Sequence, residues 1–107
     1  MKKNFADKVH FVGIGGIGMS ALAQHLVHCG YAVSGSDRQV NEQTEKLQKM
    51  GVELHCGHSE QNVKGACLVV RTSAVTPDNC EVAFAQNNNI PVLLREQLLG
   101  EIFDAFK

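Results

Sequence analysis

The chain has 107 residues, close to the commonest size of a single domain, so we expect one compact hydrophobic core. Apolar residues make up 44% and charged residues 20% of the sequence, a balance that excludes an intrinsically disordered chain. The formal net charge of -1 leaves no basic surplus for a phosphate backbone, so we expect no nucleic-acid partner.

The sequence shows no targeting or membrane-spanning segment. Its positively charged start, residues 1–8, is followed by no apolar run long enough for a signal-peptide core, and no later stretch could cross a bilayer. We therefore expect a cytoplasmic protein that makes no membrane contact. The cysteines lack the paired spacing of zinc and redox motifs, which predicts reduced and mostly buried thiols. They are Cys29, Cys56, Cys67 and Cys80.

Short strands and amphipathic helices alternate along the whole chain. Strands are predicted at residues 9–12, 31–34, 52–56, 66–70 and 91–94. Helices are predicted from the apolar stripe of residues 19–27, over residues 42–50 and 81–86, and from about residue 95 to 106. This alternation predicts an α/β fold: a single domain with a Rossmann-like, doubly wound parallel five-stranded sheet in the order 3-2-1-4-5.

The predicted strand order also predicts where a ligand binds. In a doubly wound sheet, ligands bind beyond the carboxyl ends of the strands, at the point where the strand order reverses. Here that point lies between strands 1 and 4. It brings together the loop after Val12, the residue after strand 2 and the loop after Val70, and we expect the site there.

The loop after strand 1 is rich in glycine and has a recognisable spacing. Gly13-Ile14-Gly15-Gly16-Ile17-Gly18 matches G-x-G-x-x-G between a predicted strand and a predicted helix, the context in which this motif binds a diphosphate. Gly13 would permit the tight turn, Gly15 would let the backbone approach the phosphates, and Gly18 would let the helix pack closely on the strand. The alternative is that the glycines serve tight packing alone.

Asp37 lies shortly after the apolar part of strand 2 and nineteen residues after Gly18, where dinucleotide-binding folds place an acid that accepts hydrogen bonds from ribose hydroxyls. Taken alone, this position favours NAD. A solvated turn carboxylate is the alternative.

Several motifs in order along the chain are together more specific than the glycine loop. They are residues 13–20, Ser34-Gly35-Ser36-Asp37, Gly57-His58, Thr72-Ser73-Ala74 with Pro77-Asp78-Asn79, and Ile90-Pro91-Val92 with Arg95. From His10 to about Phe103 the chain resembles the Mur ligase family. The resemblance implies that residues 1–107 are the Rossmann-like N-terminal domain, which binds a UDP-sugar. The family's central and C-terminal domains, absent from this chain, would be joined to it in cis in the parent ligase.

The resemblance also implies a function. The chain would bind UDP-N-acetylmuramate, to whose carboxylate the parent ligase joins L-alanine with ATP and Mg²⁺ in the first peptide step of peptidoglycan-precursor synthesis. The chain alone would hold no cofactor, metal or catalytic residue, and would not catalyse. A regulatory domain that senses NAD or an adenine nucleotide is the alternative, and an interaction domain with a vestigial pocket is a third possibility.

Carried over motif by motif, the resemblance implies a substrate site from four segments. The backbone of residues 14–19 would cradle the diphosphate, Asp37 and Arg38 would meet the uridine, and residues 72–74 would lie under the diphosphate and sugar. His58 would line the uridine pocket, unless it is an exposed loop histidine. The whole substrate-binding set is Ile14, Gly15, Gly16, Ile17, Gly18, Met19, Ser36, Asp37, Arg38, His58, Thr72, Ser73 and Ala74.

Arg71 and the segment from His55 to His58 are two further polar features of the sequence. Arg71 stands where the family more often has an apolar or small residue, and it would either pair with the diphosphate or be salt-bridged or exposed. His55, Cys56 and His58 lie close in sequence but have no fourth partner at a recognisable spacing, so no metal site is predicted.

Overall fold

The computed structural model describes the backbone of residues 8–105 and the side chains of residues 8–100. The strands are β1 (Lys8–Val12), β2 (Ala32–Asp37), β3 (Glu53–Cys56), β4 (Leu68–Arg71) and β5 (Val92–Leu94). The helices are α1 (Ile17–His28), α2 (Glu42–Lys49), α3 (Cys80–Asn87) and α4 (Arg95–Ala105), and a 3-10 helix covers Glu60–Val63.

The five strands form one sheet in the order β3-β2-β1-β4-β5, and every neighbouring pair is parallel. The predicted fold class and strand order are confirmed. The largest difference in a strand is at β2, which continues to Asp37 instead of ending at Ser34. Serine and glycine have low strand propensity, but Gly35 and Ser36 pair with strands on both sides, and this pairing overrides the local preference.

Helices cover both faces of the sheet. Val9 and Phe11 of β1 pack in a cluster with α1, α2 and α4, whereas Val12 packs in a second cluster with the 3-10 helix and α3. Alternate residues of a strand point to opposite faces, so His10 shares the second face with Val12. Each face buries several large aliphatic side chains, and each such side chain contributes about 1.5 to 3 kcal/mol to stability.

Helix α1 carries the predicted apolar stripe. Met19, Leu22, Ala23 and Leu26 are buried, and Val27 packs against the same cluster while partly exposed. The helix ends at His28, and Gly30 follows with a φ of 92°, a conformation that favours glycine. This stripe fixes the start of α1 against the sheet and so places the glycine loop.

The prediction of mostly buried thiols is wrong. Cys29 is half-buried, and Cys56, Cys67 and Cys80 are exposed; the four form no disulfide. Three of them stand at element ends, where the general burial tendency of cysteine does not decide exposure: Cys56 ends the edge strand β3, Cys67 precedes β4 and Cys80 begins α3. Within residues 8–105 we find no helix with the length and apolar character needed to span a bilayer.

Candidate functional site

The loops that follow β1, β2, β3 and β4 surround a cavity of about 440 Å³, which we call the loop cavity. It lies at the carboxyl ends of the strands, where the predicted strand order places a ligand. Its lining residues are Gly13, Asp37, Arg38, His58, Ala74, Val75, Thr76, Asp78 and Asn79. Four members of the predicted substrate set therefore meet at one cavity: Asp37, Arg38, His58 and Ala74.

The first half of the glycine loop is fastened to β2. Gly13 has a φ of 80°, and its amide and the amide of Ile14 both donate to the carbonyl of Ser36, at 2.8 and 3.0 Å. The Gly15 amide donates to Asp37 Oδ2 at 2.8 Å, and the Gly16 amide donates to the Gly13 carbonyl at 3.4 Å. These four amides are therefore already hydrogen-bonded within the protein.

The second half of the loop is different. In the described part of the chain, no acceptor hydrogen-bonds the amides of Ile17, Gly18 or Met19, the first three residues of α1. The first turn of α1 carries no acidic side chain of its own to offset the positive end of the helix dipole. Of the backbone predicted to cradle a diphosphate, these three amides are the ones free to donate to an anion.

The space beside two glycines of the loop is filled by side chains from other parts of the chain. A Cβ on Gly15 would lie 2.7 Å from Asp37 Oδ2 and 3.0 Å from Asn41 Nδ2, so the missing side chain makes room for two polar side chains. A Cβ on Gly18 would overlap the guanidinium of Arg95 rather than the strand beneath the helix. The expected close packing of Gly18 on a strand is thus replaced by the packing of an arginine.

Three members of the predicted set are too buried for their side chains to contact a ligand: Ile14, Met19 and Ser36. Ile14 packs on Gly35, where a Cβ would lie 2.7 Å from the Ile14 Cβ. Met19 belongs to the core cluster beneath α1. Ile14 and Met19 can therefore offer a ligand only their backbone groups.

The loop after β4 begins with a turn in which the Val75 amide donates to the Thr72 carbonyl at 3.1 Å. Thr72 is half-buried, whereas Ser73 and Ala74 are exposed, and of the three only Ala74 lines the loop cavity. The structure therefore brings one of these predicted residues to the cavity and leaves the other two beside it.

Arg71 is neither exposed nor salt-bridged to any described residue, so that alternative is wrong, whereas its pairing with the diphosphate stays a prediction. It is half-buried, and its Nη1 donates to the carbonyls of Val75 at 3.0 Å and Thr72 at 3.4 Å, while no described residue accepts from its buried Nε. The guanidinium thus stabilises the loop after β4, because it hydrogen-bonds two carbonyls of that loop.

A buried carboxylate on the α3 side of the sheet escaped the sequence analysis. The side chain of Glu81 is 0% exposed and accepts hydrogen bonds on both oxygens. Oε1 lies 2.7 Å from His10 Nε2 and 2.7 Å from Ser36 Oγ. Oε2 lies 2.8 Å from Asn62 Nδ2 and 3.0 Å from the Ser59 amide.

The hydrogen bonds keep this buried carboxylate ionised. Burial alone raises the pKa of Glu81, but the hydrogen bonds from His10, Ser36 and Asn62 outweigh burial and lower the pKa from 4.5 to about 2. The network also reaches the loop cavity, because Ser36 Oγ lies 2.8 Å from Nδ1 of the cavity residue His58.

A signal for this network was present in the sequence. His10 interrupts an apolar strand, and Ser34 and Ser36 alternate along the neighbouring strand, so three polar side chains fall on one face of the sheet. Glu81 completes the network from α3 across that face. No cluster of three or more His, Cys, Asp or Glu side chains that could hold a metal ion occurs in the described residues.

Comparison with known proteins agrees with this geometry. The family model described as "Mur ligase family, catalytic domain" matches residues 8–107. The chain is 52% identical over 98 residues to the UDP-N-acetylmuramate–L-alanine ligase of Acetivibrio thermocellus, a match that covers 92% of this chain and 21% of that protein. It is 49% identical over 103 residues to the ligase of the same name from Aquifex aeolicus, covering 96% of this chain and 23% of that protein.

A solved structure extends the likeness to three dimensions. The crystal structure of the UDP-N-acetylmuramate–alanine ligase of Thermotoga maritima matches with a TM-score of 0.89 at 39% identity, over 94% of this chain and 23% of that chain. The chain thus spans between 21% and 23% of the length of these relatives. On the match of the family model and of these relatives, the chain belongs to the Mur ligase family.

Proposed function

We propose that this chain is the UDP-sugar-binding domain of a UDP-N-acetylmuramate–L-alanine ligase. The observation that carries the proposal is the 49% to 52% identity, over more than nine-tenths of the chain, to two proteins of that name. A second support is the loop cavity, whose volume of about 440 Å³ falls within the range of about 300 to 1,000 Å³ usual for ligand pockets.

The free amides at the start of α1 and the side chains that line the loop cavity suggest how the substrate lies. The diphosphate would accept hydrogen bonds from the amides of Ile17, Gly18 and Met19. The uridine would extend towards Asp37, Arg38 and His58, and the sugar would lie against the loop of residues 72–74. The side chain of Ile17, which is 78% exposed at this end of α1, would offer an apolar surface beside the sugar.

The ligation itself belongs, in this proposal, to a longer protein. Its other domains would be joined in cis, would bind ATP and Mg²⁺, and would bring L-alanine to the activated muramyl carboxylate in the cytoplasm. The chain does not fit either cofactor: its sequence has no Gly-x-x-x-x-Gly-Lys run, and its described residues form no group of metal ligands. We therefore assign no step through ATP or Mg²⁺ to this chain.

Calorimetric titration of the chain with UDP-N-acetylmuramate, UDP and NAD tests the proposal. We expect UDP-N-acetylmuramate to bind most tightly, with a Kd on the order of micromolar to millimolar, because the far end of the sugar lacks its other contacts here. UDP should bind more weakly, and NAD most weakly. Binding of NAD as tight as that of the UDP-sugar would instead favour the nucleotide-sensing alternative.

A further inference from the structure

The loop that carries His58 is held on both sides by the same network. The Gly57 amide donates to the Asp37 carbonyl at 2.7 Å, and the Ser59 amide donates to Glu81 Oε2 at 3.0 Å. Asn62 Nδ2 bridges the two points, since it donates to the Gly57 carbonyl and to Glu81 Oε2. The imidazole of His58 therefore enters the cavity from a fixed backbone.

The ionised state of Glu81 determines the direction of the hydrogen bonds that link Glu81, through Ser36, to His58. An ionised carboxylate only accepts hydrogen bonds. The Ser36 hydroxyl has one proton and must donate it to Glu81 Oε1, which lies 2.7 Å away. Its oxygen is then left as an acceptor for His58 Nδ1 at 2.8 Å, so Nδ1 carries a proton.

Because a neutral imidazole carries a single ring proton, the position of that proton on Nδ1 leaves Nε2 with a bare lone pair. Within the described residues no group hydrogen-bonds Nε2, while Nδ1 is hydrogen-bonded to the buried Ser36. We propose that Glu81 is a positioning residue that, through Ser36, fixes the His58 tautomer whose Nε2 accepts a hydrogen bond from the nucleoside.

This inference rests on the proposed function for the identity of the ligand, because a uridine offers two kinds of donor to such an acceptor. One is the N3–H group of uracil, and the other is a ribose hydroxyl. Asp37, which also lines the cavity, is likewise an acceptor, so these two side chains select hydrogen-bond donors. Ser36, expected from the sequence in the substrate set, acts here behind His58 rather than on the ligand.

The tautomer is measurable without any ligand. Long-range proton–nitrogen correlation spectra of the histidine-labelled chain, at a pH where the imidazole is neutral, should show His58 protonated at Nδ1. A neutral His58 protonated at Nε2 would overturn the proposal, whether or not the chain binds a uridine nucleotide. The failure of this inference is thereby distinguished from the failure of the proposed function.

Two variants test the role of Ser36, with one as the matched control for the other. Ser36→Ala removes the hydroxyl that links His58 to Glu81 but leaves Glu81 its other three donors. The direct distance from His58 Nδ1 to Glu81 Oε2, 3.6 Å, is too long for a hydrogen bond, so His58 should shift towards protonation at Nε2. Ser34→Ala, equally buried and two residues earlier on the same face, removes only a contact to His10 and should leave His58 unchanged. An unchanged His58 spectrum in Ser36→Ala would refute the relay.

The identity of the donor is tested with three modified ligands, each of which lacks one donor of the nucleoside. UDP, 3-methyl-UDP, 2′-deoxy-UDP and 3′-deoxy-UDP are titrated into the chain and into His58→Phe, which keeps a flat ring but has no acceptor. One of the three analogues should bind the unmodified chain about three- to tenfold more weakly than UDP, and His58→Phe should abolish that difference. Equal losses in both chains, or no loss for any analogue, would show that Nε2 accepts nothing from the nucleoside.

Discussion

The carboxylate of Asp37 accepts a hydrogen bond from the backbone amide of Gly15 at 2.8 Å, and this contact fastens the end of β2 to the loop after β1. Asn41, the N-cap of α2, adds a second contact because its Nδ2 donates to the Gly15 carbonyl at 3.2 Å. Both side chains occupy the space that a Cβ on Gly15 would need. The acid expected to meet a ribose therefore also shapes the loop expected to meet the diphosphate.

Gly15→Ala should destabilise the fold and weaken the binding of UDP, because the new Cβ would lie 2.7 Å from Asp37 Oδ2. We expect a loss of about 1 to 3 kcal/mol in the free energy of unfolding, measured by urea denaturation. Gly16→Ala is the matched control: the nearest atom to its Cβ is 3.8 Å away, so its loss should stay under about 1 kcal/mol. Equal losses in the two variants would contradict the assigned role of Gly15.

Asp37→Asn should weaken the binding of UDP while leaving the binding of pyrophosphate nearly unchanged. An asparagine keeps one side-chain oxygen for the Gly15 amide but loses the charge that favours acceptance from ribose hydroxyls. We expect about a tenfold loss in UDP affinity by titration calorimetry. Asp78→Asn, an exposed carboxylate on the same cavity, is the control and should bind UDP as before. A loss of pyrophosphate binding in Asp37→Asn would place Asp37 at the wrong end of the ligand.

Glu81 should make the fold sensitive to acid in a defined pH window. Its pKa in the folded chain is about 2, below the usual 4.5, so its contribution to stability is complete above pH 4.5 and is lost as the pH falls towards 2. The difference corresponds to about 3 kcal/mol of unfolding free energy. Carbon-13 titration of the side-chain carboxyls should give a midpoint near 2 for Glu81. A midpoint at or above 4.5 for Glu81 would refute the account of the network.

The isolated chain should not make an amide bond. Phosphoryl transfer needs a lysine and magnesium ligands to neutralise the charge on the transferred group, and the one glycine-rich loop continues from Gly18 into Met19 and Ser20 without a lysine. We expect no phosphate release above a buffer blank when the chain is assayed with ATP, Mg²⁺, UDP-N-acetylmuramate and L-alanine. Clear turnover would mean that the catalytic groups lie within these residues.

The sheet could be predicted from the sequence because its strands are short apolar runs, each set off by a glycine, a proline or a helix. The end of β2 could not, since Gly35 and Ser36 are strand residues only through their pairing with β1 and β3. The exposed cysteines were missed for a related reason: a general preference for burial says nothing about a residue at the end of an element.

The positions of the site loops were also predictable, because strand order alone brings the ends of β1, β2 and β4 together. Which hydrogen-bonding groups are free to contact a ligand could not be predicted. Which loop amides remain free depends on where the Asp37 carboxylate and the Ser36 carbonyl lie, a relationship between residues more than twenty positions apart. Glu81 lies still farther along the chain from His10, and only the folded sheet shows that the two meet.

Amide chemical shifts followed during titration with UDP-N-acetylmuramate locate the bound substrate on the chain. We predict that the largest changes fall on the free amides of Ile17, Gly18 and Met19, together with His58 and Ala74 around the loop cavity. The amides of Gly13 and Ile14, which are bonded to Ser36, should move less. Saturation without changes at Ile17 to Met19, or changes confined to the far side of the sheet, would contradict the assignment of this cavity to the UDP-sugar.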